Sequence, residues 1–101
     1  MSYPSSPHAR PIVITNALRT PIGKFLGSFQ DLSCVDLGVS VVTDLLAQAG
    51  ISPSEVGSTI LGVGRQAGSG PNPARQVSVR AGIPVESPAW TMNMACASGL
   101  K

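Results

Sequence analysis

The sequence predicts an α/β protein built around a parallel sheet, and three observations carry that prediction. Short β-branched runs at residues 11–18 and 58–64 carry almost no polar alternation, the pattern of strands covered on both faces. A capped apolar stripe at helical spacing lies between them. Strand and helix signals then alternate along the chain: strand, helix, strand, helix, strand and the opening of a helix. Such alternation is the signature of βαβ crossovers.

The elements follow in order. Residues 1–10 are rich in Ser and Pro and read as a flexible tail; they hold the only histidine, His8, which is poorly placed to act as a base. Pro11-Ile12-Val13-Ile14 opens the first strand. Arg19-Thr20-Pro21-Ile22-Gly23-Lys24-Phe25 is punctuated by Pro and Gly and reads as a loop. Ser33 with Asp36 makes a capping-box start to a helix. Val35, Val39, Val42, Leu46 and Ala49 form its apolar stripe, with Leu45 beside them, and Gly50 is a left-handed stop. Cys34 flanks the stripe and reads as a small buried thiol.

Ser52-Pro53-Ser54-Glu55 forms one capped turn. Residues 58–64 form the second strand. Asn72-Pro73 is a helix entry with Asn as cap, and that helix runs to about residue 81, ended by Gly82. Pro84 and Pro88 bracket an extended connector. Residues 90–93 form the third strand, and the segment around Cys96 follows it.

Composition narrows the function. The chain has 101 residues, enough for one small domain. Charged residues make up 12% of it, about half the usual ~25%, so much of the surface is expected to meet further protein. The net charge is +2, the basic residues are scattered, and aromatic residues are 4%. A nucleic-acid binder would carry a basic patch with stacking aromatics. No secretory signal or membrane-spanning run is visible. Cys34 and Cys96 lie too far apart for metal-ligand spacing and form no disulfide framework. Free thiols suit a reducing compartment, and a cytoplasmic address is the expectation.

Two sites compete. Gly62-Val63-Gly64-Arg65-Gln66-Ala67 matches the G-x-G-x-x-A dinucleotide fingerprint after a strand. That motif needs its helix to begin inside the glycine run, whereas Gly68-Ser69-Gly70-Pro71 intervenes here. The glycines therefore read as a tight loop. Cys96 is the stronger candidate. It falls where a strand passes into a helix, at the sheet edge where open α/β folds place their chemistry. A helix N-terminus favours the thiolate, the reactive species. Ala95, Ala97, Ser98 and Gly99 are small, so an acyl group can reach the sulfur, and backbone N–H groups can hold an oxyanion.

Three further stretches bring a family into view. Arg19-Thr20-Pro21-Ile22-Gly23-Lys24-Phe25, Gln66-Ala67-Gly68-Ser69-Gly70-Pro71-Asn72-Pro73-Ala74-Arg75-Gln76 and Asn93-Met94-Ala95-Cys96-Ala97-Ser98-Gly99-Leu100-Lys101 resemble signatures of thiolases. The connector at residues 81–91 fits as well, so the likeness runs from about residue 11 to residue 101.

The resemblance implies a partial thiolase-like fold: residues 11–101 as an incomplete N-terminal domain, truncated just after the nucleophile motif. It implies acyl transfer between coenzyme A and acyl-CoA, by thiolytic cleavage or Claisen condensation. Cys96 would be the nucleophile, acylated as a thioester, and its backbone N–H would serve the oxyanion hole. Coenzyme A and acyl-CoA would be substrates, with no tightly bound cofactor and no metal. Asn72, Arg75, Gln76, Trp90 and Met92 would lie near the interface of a homodimer or homotetramer. The acid/base His residues and second Cys of thiolases are not in this chain, which is expected to be inactive alone. Pro71, Arg65 and Met94 depart from the usual pattern. The rivals are a fragment of a β-ketoacyl synthase-like condensing enzyme, marked by two downstream His in place of Cys-x-Gly, and a non-catalytic half-domain.

Overall fold

The computed structural model describes residues 10–101; the expectations for the Ser/Pro-rich tail and for His8 lie outside these residues. Helix α1 spans Cys34–Ala49, a 3-10 turn spans Pro53–Glu55, strand β1 spans Thr59–Gly62, helix α2 spans Pro73–Arg80 and strand β2 spans Ala89–Met92. β1 and β2 pair in parallel, with Thr59 opposite Ala89 and Gly62 opposite Met92, and α2 is their crossover.

Both ends of α1 form as the sequence dictates. The Ser33 hydroxyl accepts from the Asp36 N–H at 3.0 Å, and the Asp36 carboxylate accepts from the Ser33 N–H at 2.8 Å. Gly50 closes the helix at φ 67°. Substituting such an N-cap costs about 1 kcal/mol. Asp36 also takes the Arg80 guanidinium of α2 at 2.8 Å, joining the two helices. The Ser33 backbone N–H first, and then Arg80, hold the Asp36 carboxyl below the usual carboxylate range. Glu55 returns to the Ser52 N–H at 2.8 Å and completes the second, shorter capped turn.

The core sits where α1, α2 and one face of the sheet meet. Val35, Ala74, Val77 and Ile83 are buried. Gly38 of α1 faces Val77 and Leu61, which puts both helices on the same side of the sheet. Fully burying a side chain such as Val77 contributes about 1.5–3 kcal/mol.

Four expectations change. Residues 11–18 pair with no strand among the described residues. Ile12 is 99% exposed and Ile14 96%, because a strand is defined by a backbone partner and this run has none. The sheet is covered on one face only. Thr59 and Leu61 turn toward the helices, whereas Ile60 is 52% exposed, as is 45% of its register partner Trp90. An unalternating strand sequence is compatible with either arrangement, and both helices chose the same side. Cys34 is exposed rather than buried, because the first helical position turns it beside the Val35 stripe and not into it. Asn72 precedes α2 but does not cap it by side chain; its φ is 40° and its amide is used elsewhere.

Candidate active site

Cys96 lies just beyond the C-terminal end of β2, in a turn rather than at a helix start. Ala97 N–H donates to Met94 O at 3.0 Å and Ser98 N–H to Ala95 O at 3.2 Å. The first helix-like return is from Lys101 to Ala97, at 3.2 Å. Ala95, with φ at 49°, breaks helical geometry one residue ahead of the cysteine. The expected helix N-terminus at Cys96 is therefore replaced by a sharp elbow, whose strained residue is the neighbour of the thiol.

Two side chains hold this elbow. The Ser98 hydroxyl is buried. It accepts from the Met94 N–H at 2.8 Å and donates to Ala95 O at 2.7 Å, closing the turn from inside. The Asn93 side chain spans two segments. Its amide donates to Gly64 O at 3.1 Å, and its oxygen accepts from the Ala95 N–H at 2.8 Å. Asn93 thus ties the loop after β1 to the residue beside Cys96. In the sequence Ser98 is only a small neighbour of Cys96 and Asn93 only part of a motif. Their roles depend on partners that no spacing rule supplies.

The glycines of the discarded dinucleotide motif belong to this site. A Cβ on Gly62 would run into the Ser98 carbonyl, and one on Gly64 would lie 2.9 Å from Ala95 O. The loop after β1 lacks side chains there because the elbow's backbone rests against it. Between them lies an open cleft of about 450 Å³ lined by Gly64, Arg65, Ala95 and Cys96. The thiol is exposed to it. No carboxylate lines this cleft, and no cluster of His, Cys, Asp and Glu capable of holding a metal occurs among the described residues.

Asn72, Arg75, Gln76, Trp90 and Met92, expected near a subunit interface, divide into two sets. The first three are engaged within the chain. Asn72 donates to Ala89 O at 3.0 Å and accepts from the Thr91 hydroxyl at 2.9 Å. Arg75 donates to Ser87 O at 3.1 Å, and Gln76 to Ser69 O and Pro71 O at 2.9 and 2.8 Å. Trp90 remains largely exposed, and Met92 is half-buried. The first set binds the loop before α2 to β2, and β2 delivers the Cys96 elbow.

Residues 12–101 match the thiolase N-terminal domain. The chain belongs to that family. Over 89 residues it is 51% identical to an acetyl-CoA acetyltransferase of Paracoccus denitrificans, covering 88% of this chain and 23% of that protein. It is 43% identical over 90 residues to a probable acetyl-CoA acyltransferase of Staphylococcus aureus, covering 89% and 23%. Among solved structures it resembles the Acat5 thiolase from Ascaris suum in complex with coenzyme A, with a TM-score of 0.74 and 38% identity over 78% of this chain and 21% of that one. The chain spans about a quarter of the length of the curated relatives it matches. The α/β architecture observed is thus part of a thiolase fold. No helix among the described residues is long and apolar enough to cross a membrane.

Proposed function

We propose that the intact protein is an acyl-CoA C-acyltransferase of the thiolase type and that Cys96 is the residue it acylates. The carrying observation is an exposed thiol on a clamped elbow, opening into a cleft lined by Gly64, Ala95 and Arg65. In this reading Cys96 Sγ gives its proton to a base and attacks the acyl carbonyl carbon of an acyl-CoA. The carbonyl becomes an oxyanion facing backbone N–H groups, that of Cys96 included. Collapse breaks the carbon–sulfur bond to coenzyme A, whose thiolate leaves and takes up a proton. The product is an acyl-Cys thioester, still activated for transfer to coenzyme A or to a carbanion from a second acyl-CoA.

The base and the acid that serve the carbanion step are not among the described residues. Relatives four times as long have room for them beyond the matched stretch. The chain alone is expected to be inactive. A homodimer or homotetramer belongs to this reading, supported by the open Ile60 and Trp90 face, as does a reducing, cytoplasmic setting that keeps the thiol free. The test is to incubate the intact protein with acetyl-CoA and map the acyl group by peptide mass spectrometry. Acetylation on Cys96, absent from Cys96→Ala, is expected. Acyl transfer by Cys96→Ala at the wild-type rate would overturn the proposal.

A further inference from the structure

Among the described residues the Cys96 cleft is lined by one charged side chain, the exposed Arg65, and family membership assigns it no role. Two observations make it more than a surface arginine. The first is placement. Arg65 lines the same cleft of about 450 Å³ as Cys96, and the other two lining residues, Gly64 and Ala95, carry no charge. Its backbone is held on both sides. Val63 N–H donates to Met92 O at 3.0 Å, Gly64 O accepts from Asn93 at 3.1 Å, and the buried Ser69 hydroxyl donates to Gln66 O at 2.6 Å. Asn93 also holds Ala95, so one side chain ties together the backbone of the residues that precede Arg65 and Cys96. The second is the lack of a partner. The sole ion pair among the described residues is Arg80 with Asp36. Of the other acidic residues, Glu55 is turned to Ser52 and none lines the cleft.

A guanidinium that shares a small cleft with a nucleophilic thiol recognises an anion close to the bond that reacts. Two anions arrive with an acyl-CoA: the phosphates of coenzyme A and any carboxylate on the acyl chain. The phosphates lie at the far end of the pantetheine arm, many bonds from the thioester. A carboxylate a few carbons along the acyl chain lies much closer to the reacting bond. Resting on the reading of Cys96 as the acylated thiol, we infer that Arg65 selects acyl groups carrying a terminal carboxylate, the half-thioesters of short dicarboxylic acids.

The experiment compares glutaryl-CoA with pentanoyl-CoA, acyl chains of equal length, on the intact wild-type protein and on Arg65→Gln and Arg65→Lys. Acylation of Cys96 by each is followed by intact mass, and kcat/KM by release of coenzyme A. The readout is the selectivity ratio, glutaryl over pentanoyl. The wild-type ratio is expected to exceed one. Arg65→Gln should lower it at least about tenfold, the scale of one charge-assisted hydrogen bond, and Arg65→Lys should restore part of it. Equal losses for both substrates would point to the coenzyme A phosphates or to a structural role and overturn the inference. So would an unchanged ratio. Failure of both acyl-CoAs to acylate Cys96 would instead strike the functional reading beneath it, so the two failures are distinguishable.

Discussion

Replacing Gly62 by alanine tests the tightest joint in the site. Gly62 is the last residue of β1 and pairs with Met92. Its added Cβ would overlap the Ser98 carbonyl and sit 3.0 Å from the Gly99 N. An ordinary carbon–oxygen approach is ~3.3 Å, so the 98–99 backbone must retreat by more than about 1 Å. The neighbour is main chain, so no rotamer change relieves the contact. Overpacking of this kind costs about 1–3 kcal/mol. The larger consequence is positional, because the elbow that moves carries Cys96, and a misplacement of ~1 Å in a reacting group can cost on the order of 100-fold in rate. The assay is the rate of Cys96 acylation by acetyl-CoA in the intact protein, with thermal unfolding run alongside. Gly57→Ala is the control, since nothing lies within 4 Å of its added Cβ. We expect Gly62→Ala to slow acylation by about two orders of magnitude and Gly57→Ala to leave it unchanged. A folded Gly62→Ala protein acylating Cys96 within twofold of wild type would refute the argument.

The remaining predictions follow from the same geometry. Asn93→Ala removes both hydrogen bonds that join the Gly64 loop to Ala95 and should slow acylation by about 10-fold or more, with Asn93→Asp, which keeps one acceptor, intermediate in stopped-flow measurements. Cys34→Ala should leave acyl transfer at the wild-type level, although both thiols are exposed and iodoacetamide should label both in the unmodified chain; loss of turnover in Cys34→Ala would count against Cys96 as the sole nucleophile. The Asp36 carboxyl is held low by the Ser33 N–H and Arg80. Its contribution is therefore fully present above the ordinary carboxylate value and lost as pH falls through the lowered one. Asp36→Asn should remove that acid-limb dependence from urea midpoints measured against pH, and an unchanged acid limb would contradict the assignment.

Much of this protein is readable from local chemistry. Ser33 with Asp36, Gly50, the Ser52–Glu55 turn and the periodic valines of α1 needed only neighbours within four positions, and each formed as the residues dictate. The alternation of strand and helix yielded the parallel β1–β2 pair, and the place of Cys96 after a strand marked the site. Tertiary structure decided what depends on distant partners. Residues 11–18 have strand-forming side chains but pair with no strand among the described residues, and most of them are exposed. Cys34 and Cys96 were separated as buried and exposed, yet both are exposed, because a side chain's burial depends on which element crosses it. Gly62 and Gly64 look like ordinary loop glycines in the sequence, but in the fold the elbow's carbonyls lie against them. The joining of Arg65 and Cys96 in one cleft is likewise a product of the crossover, which brings two strand ends thirty residues apart side by side. Local sequence determines which way each turn bends, and only the packed chain determines which turns touch.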